Sequence, residues 1–368
     1  MLQTAATGQS ACAPIHNEAH GVSLDVGLCS SMWFDAAKIL GGSTMGVSLP
    51  HQVIYATLGT LLIGCGAAAG QSAPPGPPSF QKRIEEVARA LQNEPRLKNL
   101  TDRQRIDRVE FVTGNTLFIL LHELGHVHIG EMNLPVLGRE EDEADTFAAI
   151  RMLAIGTSFS QRVLANASQG WFLSERRDEQ TGAKPLYYDE HSLSPQRAYQ
   201  IVCLMVGSDP AKFKSLADDA KMPEARQQSC KRDYAKASRS WDMILKPYRR
   251  GPDQEKTKIN VVYGDAQGDF EVFARSFRAV RILETVAERS ASDYVWPAPF
   301  TMEMLSCDGP NASWDDETRT LKVCYQLAFD FAQLYLAYAA APPPAPVNQR
   351  QKAKTKMTAS SALPRRGK

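Results

Sequence analysis

The sequence has almost no surplus of charge: 42 Lys and Arg stand against 41 Asp and Glu in 368 residues. That balance argues against general nucleic-acid binding, which needs a basic excess. Cysteine is scarce, with seven in the chain and none in the CxxC spacing of a zinc knuckle or redox motif, so a second metal held by thiolates is disfavoured. Convincing membrane spans are also lacking. The most apolar uncharged stretch, Val53 to Gly70, is too short and too rich in Gly and Ala for one.

That stretch reads instead as a secretion signal over residues 53–73, followed by a Pro/Gly linker at 74–79. Two endings are open: Leu62-Ile63-Gly64-Cys65 resembles a lipobox that would lipidate Cys65, and Ala67-Ala68-Ala69 resembles a plain cleavage site. No Lys or Arg lies between Lys38 and Lys82, so the usual basic n-region is missing, and a buried apolar segment is the competing interpretation. Residues 1–52 read as an extension, with Met45 as an alternative start. The expectation is an exported protein, periplasmic or extracellular, with a lipid anchor at Cys65 as one option.

Beyond the signal only Cys203, Cys230, Cys307 and Cys324 remain, an even number of the kind an oxidising compartment pairs. Joining neighbours is the simplest pairing, and each closed loop would stabilise by about 3 kcal/mol. Four free buried thiols are the alternative. At the other end, residues 341–368 open with proline runs and carry Lys and Arg without Asp or Glu, the composition of a disordered basic tail.

What the sequence does hold is the apolar run Thr116 to Leu121, leading into His122-Glu123-Leu124-Gly125-His126. On a helix the two histidines sit one turn apart on one face, where both imidazoles reach a single ion. Glu123 projects beside them, suited to act on a water rather than to bind the metal. The spacing also arises by chance on ordinary amphipathic helices, so a third ligand is needed. His128 lies about 200° round the helix from His126 and reads as a packing or surface residue.

A helix is expected over about Phe80 to Asn93, and a second from about Asp102 to Val112 leading into the motif helix. After Gly130 and Pro135 a further helix begins near Gly138 with Arg139-Glu140-Glu141-Asp142-Glu143-Ala144-Asp145. Glu141 and Asp145 are four apart and share a face. Glu141 would complete a His2Glu set with one position open, the pattern of catalytic zinc. Asp145 would take the free N–H of a ligating histidine. Glu143 is the rival ligand, and Glu140 and Asp142 read as solvated acids at a helix N-terminus.

HELGH followed by LPVLGREEDEADTFA closely resembles a bacterial family of metallopeptidases defined as a domain of unknown function, with the general look of a gluzincin-type zincin. The likeness continues through Gly170 to Leu173, Tyr188 to Leu193, Gln196 to Tyr199 and Cys203 to Pro210, and extends to Cys307–Leu327. In many relatives the segment similar to Cys307–Trp314 precedes the motif helix, whereas here it follows. That implies a permuted element or a second, partial copy.

The late segment reads as strands at Lys256 to Tyr263, Phe300 to Leu305 and Arg319 to Tyr325, with a polar turn between the last two and a helix from about Gln326 to Tyr338. Asn311-Ala312 resembles the Asn-Ala-aromatic stretch at the cleft edge of thermolysin-like gluzincins, where substrate pairs by strand addition. A hairpin turn is the plainer reading. His191, after Tyr187 and Tyr188, and Arg197 are candidates for the donor that steadies the oxyanion of peptide hydrolysis.

These readings combine into one α+β domain over residues 80–340, predominantly helical and zincin-like, with a small β-sheet beside the HExxH helix. It is expected to be a metallopeptidase holding one Zn2+ through His122, His126 and Glu141. Glu123 would serve as base, Asp145 as support, His191 as catalytic donor and Asn311 and Ala312 as substrate-binding residues. Its partner would be a peptide or protein, not nucleic acid, with no membrane span in the mature chain. A non-catalytic zinc-binding envelope module that retains the motif is the alternative. The absence of a fourth Cys or His at ligand spacing favours catalysis.

Overall fold

The longest helix begins where Thr101 caps it. The Thr101 hydroxyl accepts from Gln104 N at 3.3 Å, while Thr101 N donates to Gln104 Oε1 at 2.9 Å, a reciprocal capping box. In the computed structural model, which describes residues 79–339, that helix, α2, runs without a break over Asp102–Glu131, preceded by α1 at Phe80–Ala90. The expected separate helix before the motif helix is therefore its first part. From Val109 to Ile129 only His126 escapes full burial, so α2 is the central post of the fold. It ends where Asn133 turns left-handed at φ 47° and Leu134 N bonds back to Ile129 O at 2.9 Å.

Helices α3 (Glu140–Ile155) and α4 (Ser158–Thr181) pack on this post, α5 (Ser194–Ser208) packs against both, and α6 (Pro210–Asp219) and α7 (Glu224–Leu245) pack on α5. Helix α4 packs on α2 where Gly170 meets Asn115; a Cβ there would sit 2.1 Å from the Asn115 side-chain oxygen, so only glycine fits. A disulfide, Cys203–Cys230, ties α5 to α7.

The chain then forms β1 (Ile259–Tyr263), α8 (Glu271–Val280), α9 (Ile282–Asp293), β2 (Phe300–Leu305), β3 (Ala312–Asp315), β4 (Thr320–Cys324) and α10 (Tyr325–Leu334). The sheet order is β1-β2-β4-β3. The first three neighbours run parallel, in registers such as Ile259↔Phe300 and Met302↔Leu321, while β3 lies antiparallel on the edge with Trp314↔Leu321. Phe300, Met302 and Met304 alternate inward from β2. The segment read as a polar turn thus contains an edge strand. Its Trp314 indole lies close to Gly130 of α2, 3.7 Å from where a Cβ would be, so the sheet stands beside the motif helix.

Cys307–Cys324 closes the second disulfide, between the end of β2 and the end of β4. Both bonds join sequence neighbours, as expected, and fit an oxidising environment. No helix among the described residues is long and apolar enough to cross a membrane. The signal stretch with Cys65, the extension before it and the tail at 341–368 lie outside the described residues.

Candidate metal centre

Helices α2 and α3 approach closely because residue 125 has no side chain. A Cβ on Gly125 would lie 3.0 Å from Ala144 Cα and 3.2 Å from Ala144 Cβ. This brings the first turns of α3 against the motif. Glu141 Oε2 stands 3.0 Å from His122 Nε2 and 3.4 Å from His126 Nε2, and the two imidazole Nε2 atoms are 3.2 Å apart. Glu143, the rival ligand, faces away toward Trp241.

A third imidazole arrives from the connection between α4 and α5. His191 Nε2 is 3.0 Å from the same Glu141 oxygen, and its ring stacks at 22° to His122 with centroids 6.3 Å apart. His122, Glu141 and His191 are spaced to share one ion. The connection is pinned to α3 by Ser192 Oγ, which donates to Asp142 Oδ1 at 2.6 Å.

Each of the three rings is held from behind by a carboxylate. His122 Nδ1 donates to Asp145 Oδ1 at 2.8 Å, His126 Nδ1 to Glu140 Oε1 at 2.8 Å, and His191 Nδ1 to Asp189 Oδ1 at 3.2 Å. Asp189 also accepts from the His191 backbone N at 2.9 Å. Protonation at Nδ1 leaves every Nε2 as a bare lone pair aimed inward, the arrangement of metal-bound histidines.

Asp145 is buried and doubly held by Arg197, whose Nε lies 2.6 Å and Nη2 2.7 Å from its two oxygens. The Arg197 guanidinium stacks 3.9 Å over the Trp171 ring. Arg197, expected as an oxyanion donor, is thus occupied behind His122 rather than facing the cleft. Burial works to raise the Asp145 pKa, but Arg197 and His122 outweigh it and bring the carboxyl down to about 2.

Four acceptors meeting at 3.0–3.4 Å repel one another unless a cation lies between them. Glu141 Oε2 is buried with no hydrogen-bond partner, an atom that a metal would satisfy. With protons alone, burial opposes charging the imidazoles, yet the surrounding carboxylates prevail. His122 is shifted upward and His126 up to about 9, while the Glu141 carboxyl falls well below the usual range. The donor set fits a metal ion of nitrogen preference.

Glu123 is buried beside this centre and makes no hydrogen bond to any described residue. Burial raises its pKa against the pull of His122 and His126, the behaviour of a carboxylate free to take up a proton. His128 belongs to the packing: it is fully buried, donates through Nδ1 to Leu124 O at 2.7 Å, and sits among Phe147, Tyr294 and Trp296. Asn311 is exposed and Ala312 opens the edge strand β3. No hydrogen bond among the described residues links them to the centre.

Sequence reasoning missed two supports, Glu140 and Asp189. Glu140 was assigned to solvent, and its partner lies fourteen positions back in the chain. A carboxylate two residues before a histidine, as in Asp189-Glu190-His191, was a signal that could have been used.

Residues 83–245, which include every residue of this centre, match a protein family described as "Putative metallopeptidase". The match ends before the sheet, so the likeness read at Cys307–Leu327 lies outside it. No curated protein and no solved structure matches the chain.

Proposed function

We propose that the chain is an exported zinc-dependent metallopeptidase acting on peptides or proteins, and that His122, His126 and Glu141 hold the ion. The observation that carries this reading is Glu123. A buried carboxylate with no structural partner, set beside three convergent imidazoles, costs stability and is understandable as a working base. When bound, zinc would supply a Lewis acid that polarises the scissile carbonyl and acidifies a water.

The chain's own groups would do the rest. Glu123 takes a proton from the attacking water and delivers it to the departing amine. His191, on a partly exposed connection and oriented by Asp189, takes up a second proton, a state the Glu141 carboxylate favours, and as an imidazolium donates through Nε2 to the oxygen that becomes negative. Asp145, Glu140 and Asp189 keep the rings in the needed tautomer. The free side of β3, beginning at Ala312, would pair with extended substrate, with Asn311 at its start. The two disulfides support export, and the catalytic unit would span residues 80–340.

One observation favours the second reading, a non-catalytic zinc module. His191 Nε2 reaches the centre from far along the chain, so it can act as a fourth protein ligand that closes the site. The spacing argument for an open position did not anticipate it. Against closure stands Glu123, for which a purely structural site has no use.

The test is metal analysis of purified protein together with a chelator-sensitive digest of a peptide library, on the wild type and on Glu123→Gln. The expected outcome is one zinc per chain in both, with cleavage lowered about 10²–10⁴-fold in the variant. Undiminished cleavage by Glu123→Gln would remove the base assignment, and zinc without any cleavage would establish the module.

A further inference from the structure

Among the described residues, every other arginine drawn into the protein interior has an acceptor. Arg105 donates to Leu100 O and Asp102, Arg151 pairs with Asp293, Arg162 with Glu110 and Arg197 with Asp145. Arg108 is the exception. Its Nε is buried and unbonded, and no carboxylate of the described residues comes within ion-pair distance of the guanidinium. Burial lowers its pKa to about 10; Tyr335 acts in the opposite direction, Arg96 adds repulsion, and Glu94 helps without closing to a pair. Arg108 as a whole is half-buried, and a guanidinium N–H desolvated without an acceptor calls for an explanation.

Arg108 faces a cavity of about 470 Å³. The cavity lies between the turn after α1, the first half of α2, and helices α8 and α10. Val109, Val112, Phe273, Phe277 and Phe329 give it an apolar body. Arg96, at its mouth, is already engaged by Asp269, and Glu271 is exposed. Along α2, Arg108 precedes His122 by fourteen residues, about 21 Å at the helical rise, so this is not the metal centre.

We propose that this cavity binds a small amphiphilic anion, with a carboxylate or phosphate head on Arg108 and an aliphatic or aromatic body against Phe273, Phe277 and Phe329. A charge-assisted head contact satisfies the guanidinium, and the apolar walls supply the remaining affinity. Neither part suffices alone: an uncharged chain leaves Arg108 unmatched, and a bare anion leaves the walls empty.

Calorimetric titration of the full-length, metal-loaded protein with octanoate tests this. Octanoate is expected to bind one to one, with octanol and acetate each at least ten-fold weaker. Octyl phosphate in a parallel titration identifies the head: tighter binding than octanoate marks a phosphate source such as a lipid, and weaker binding marks a carboxylic acid. Arg108→Met is expected to weaken binding of the preferred anion at least ten-fold, with metal content unchanged. Because no ion pair is broken, the unliganded variant should melt no lower than the wild type. No binding of either amphiphile, equal binding of octanol, or undiminished binding by Arg108→Met would overturn the proposal.

Discussion

Replacing Asp145 by Asn removes one charge while keeping volume, and the consequences can be worked from its surroundings. Asp145 is 2% exposed and accepts from Arg197 Nε at 2.6 Å, Arg197 Nη2 at 2.7 Å and His122 Nδ1 at 2.8 Å. In Asp145→Asn the Arg197 guanidinium, itself 6% exposed, stays buried without a counter-ion. Breaking one side of such a pair costs about 3–5 kcal/mol. His122 loses the charged acceptor that fixes its tautomer, since the Asn amide can turn its NH2 toward the ring, which lowers metal affinity about 10–100-fold. The pH dependence has a definite sign. The folded carboxyl is depressed from 3.8 to about 2, so its contribution is complete above pH 4 and is lost as pH falls through that window. The stability gap between wild type and variant should therefore narrow on acidification from pH 5 to pH 2. Removing both charges in Asp145→Asn/Arg197→Met should cost less than the sum of the single changes by about 2 kcal/mol. Urea unfolding in chelator measures the stabilities, and competition with a chromophoric chelator measures the affinity. A single-variant cost below about 1 kcal/mol, or additive single changes, would refute the account of Asp145 as a buried, charge-matched support.

Other expectations follow from single features of the site and core. His191→Ala should keep zinc and lose about 10²–10³-fold in kcat if the ring is an oxyanion donor; lost zinc binding with an unchanged rate per bound metal would make it a ligand instead. Gly125→Ala should push α3 from α2 and destabilise by about 1–3 kcal/mol, with weaker zinc binding because Glu141 rides on the displaced helix. Full stability together with native affinity in that variant would show that the contact yields freely. His128, buried and neutral, has its pKa lowered from 6.5 to about 3, so its stabilising effect is full above pH 6.5 and lost as pH falls toward 3. Between pH 6.5 and 4.5 the wild type in chelator should lose about 2 kcal/mol more than His128→Phe, and parallel urea profiles would contradict this.

What was legible in the sequence is what helical geometry fixes locally. The one-turn spacings of His122 with His126 and Glu141 with Asp145 put each pair on one face before any fold was known. Cysteine parity and separation pointed to the neighbour pairing found. The single long helix was less visible, because Thr113-Gly114-Asn115-Thr116 has poor helix propensity and the pattern changes there from one-sided to all-round apolar. Burial of Phe111 to Leu121 outweighs the glycine penalty of about 1 kcal/mol. Strand β3 was hidden because Ala312 to Asp315 are all half-buried without alternation, so only the long-range pairing with β4 defines it. His191 and Arg197 lie some fifty positions after Glu141 and Asp145, and no spacing rule carries that far.

The acidic turn at the start of α3 shows how one local pattern can hold several meanings. Glu140, Glu141, Asp142 and Glu143 all oppose the helix dipole, and on that ground they are equivalent. Rotation by about 100° per residue makes them different. Glu140 orients His126, Glu141 enters the centre, Asp142 pins the His191 connection through Ser192, and Glu143 turns toward Trp241. One turn later Asp145 returns to the same face as Glu141 and locks His122 against Arg197. Four like charges so close repel one another, and the turn is tolerable because three of them meet partners from other parts of the chain: His126 at Glu140, the convergent imidazoles at Glu141 and the Ser192 hydroxyl at Asp142. The acidic cluster is therefore better understood as a distributor of carboxylates among α2, α5 and the loop between α4 and α5 than as a solvated helix end. The close approach at Gly125 and Ala144 is what places that distributor within reach.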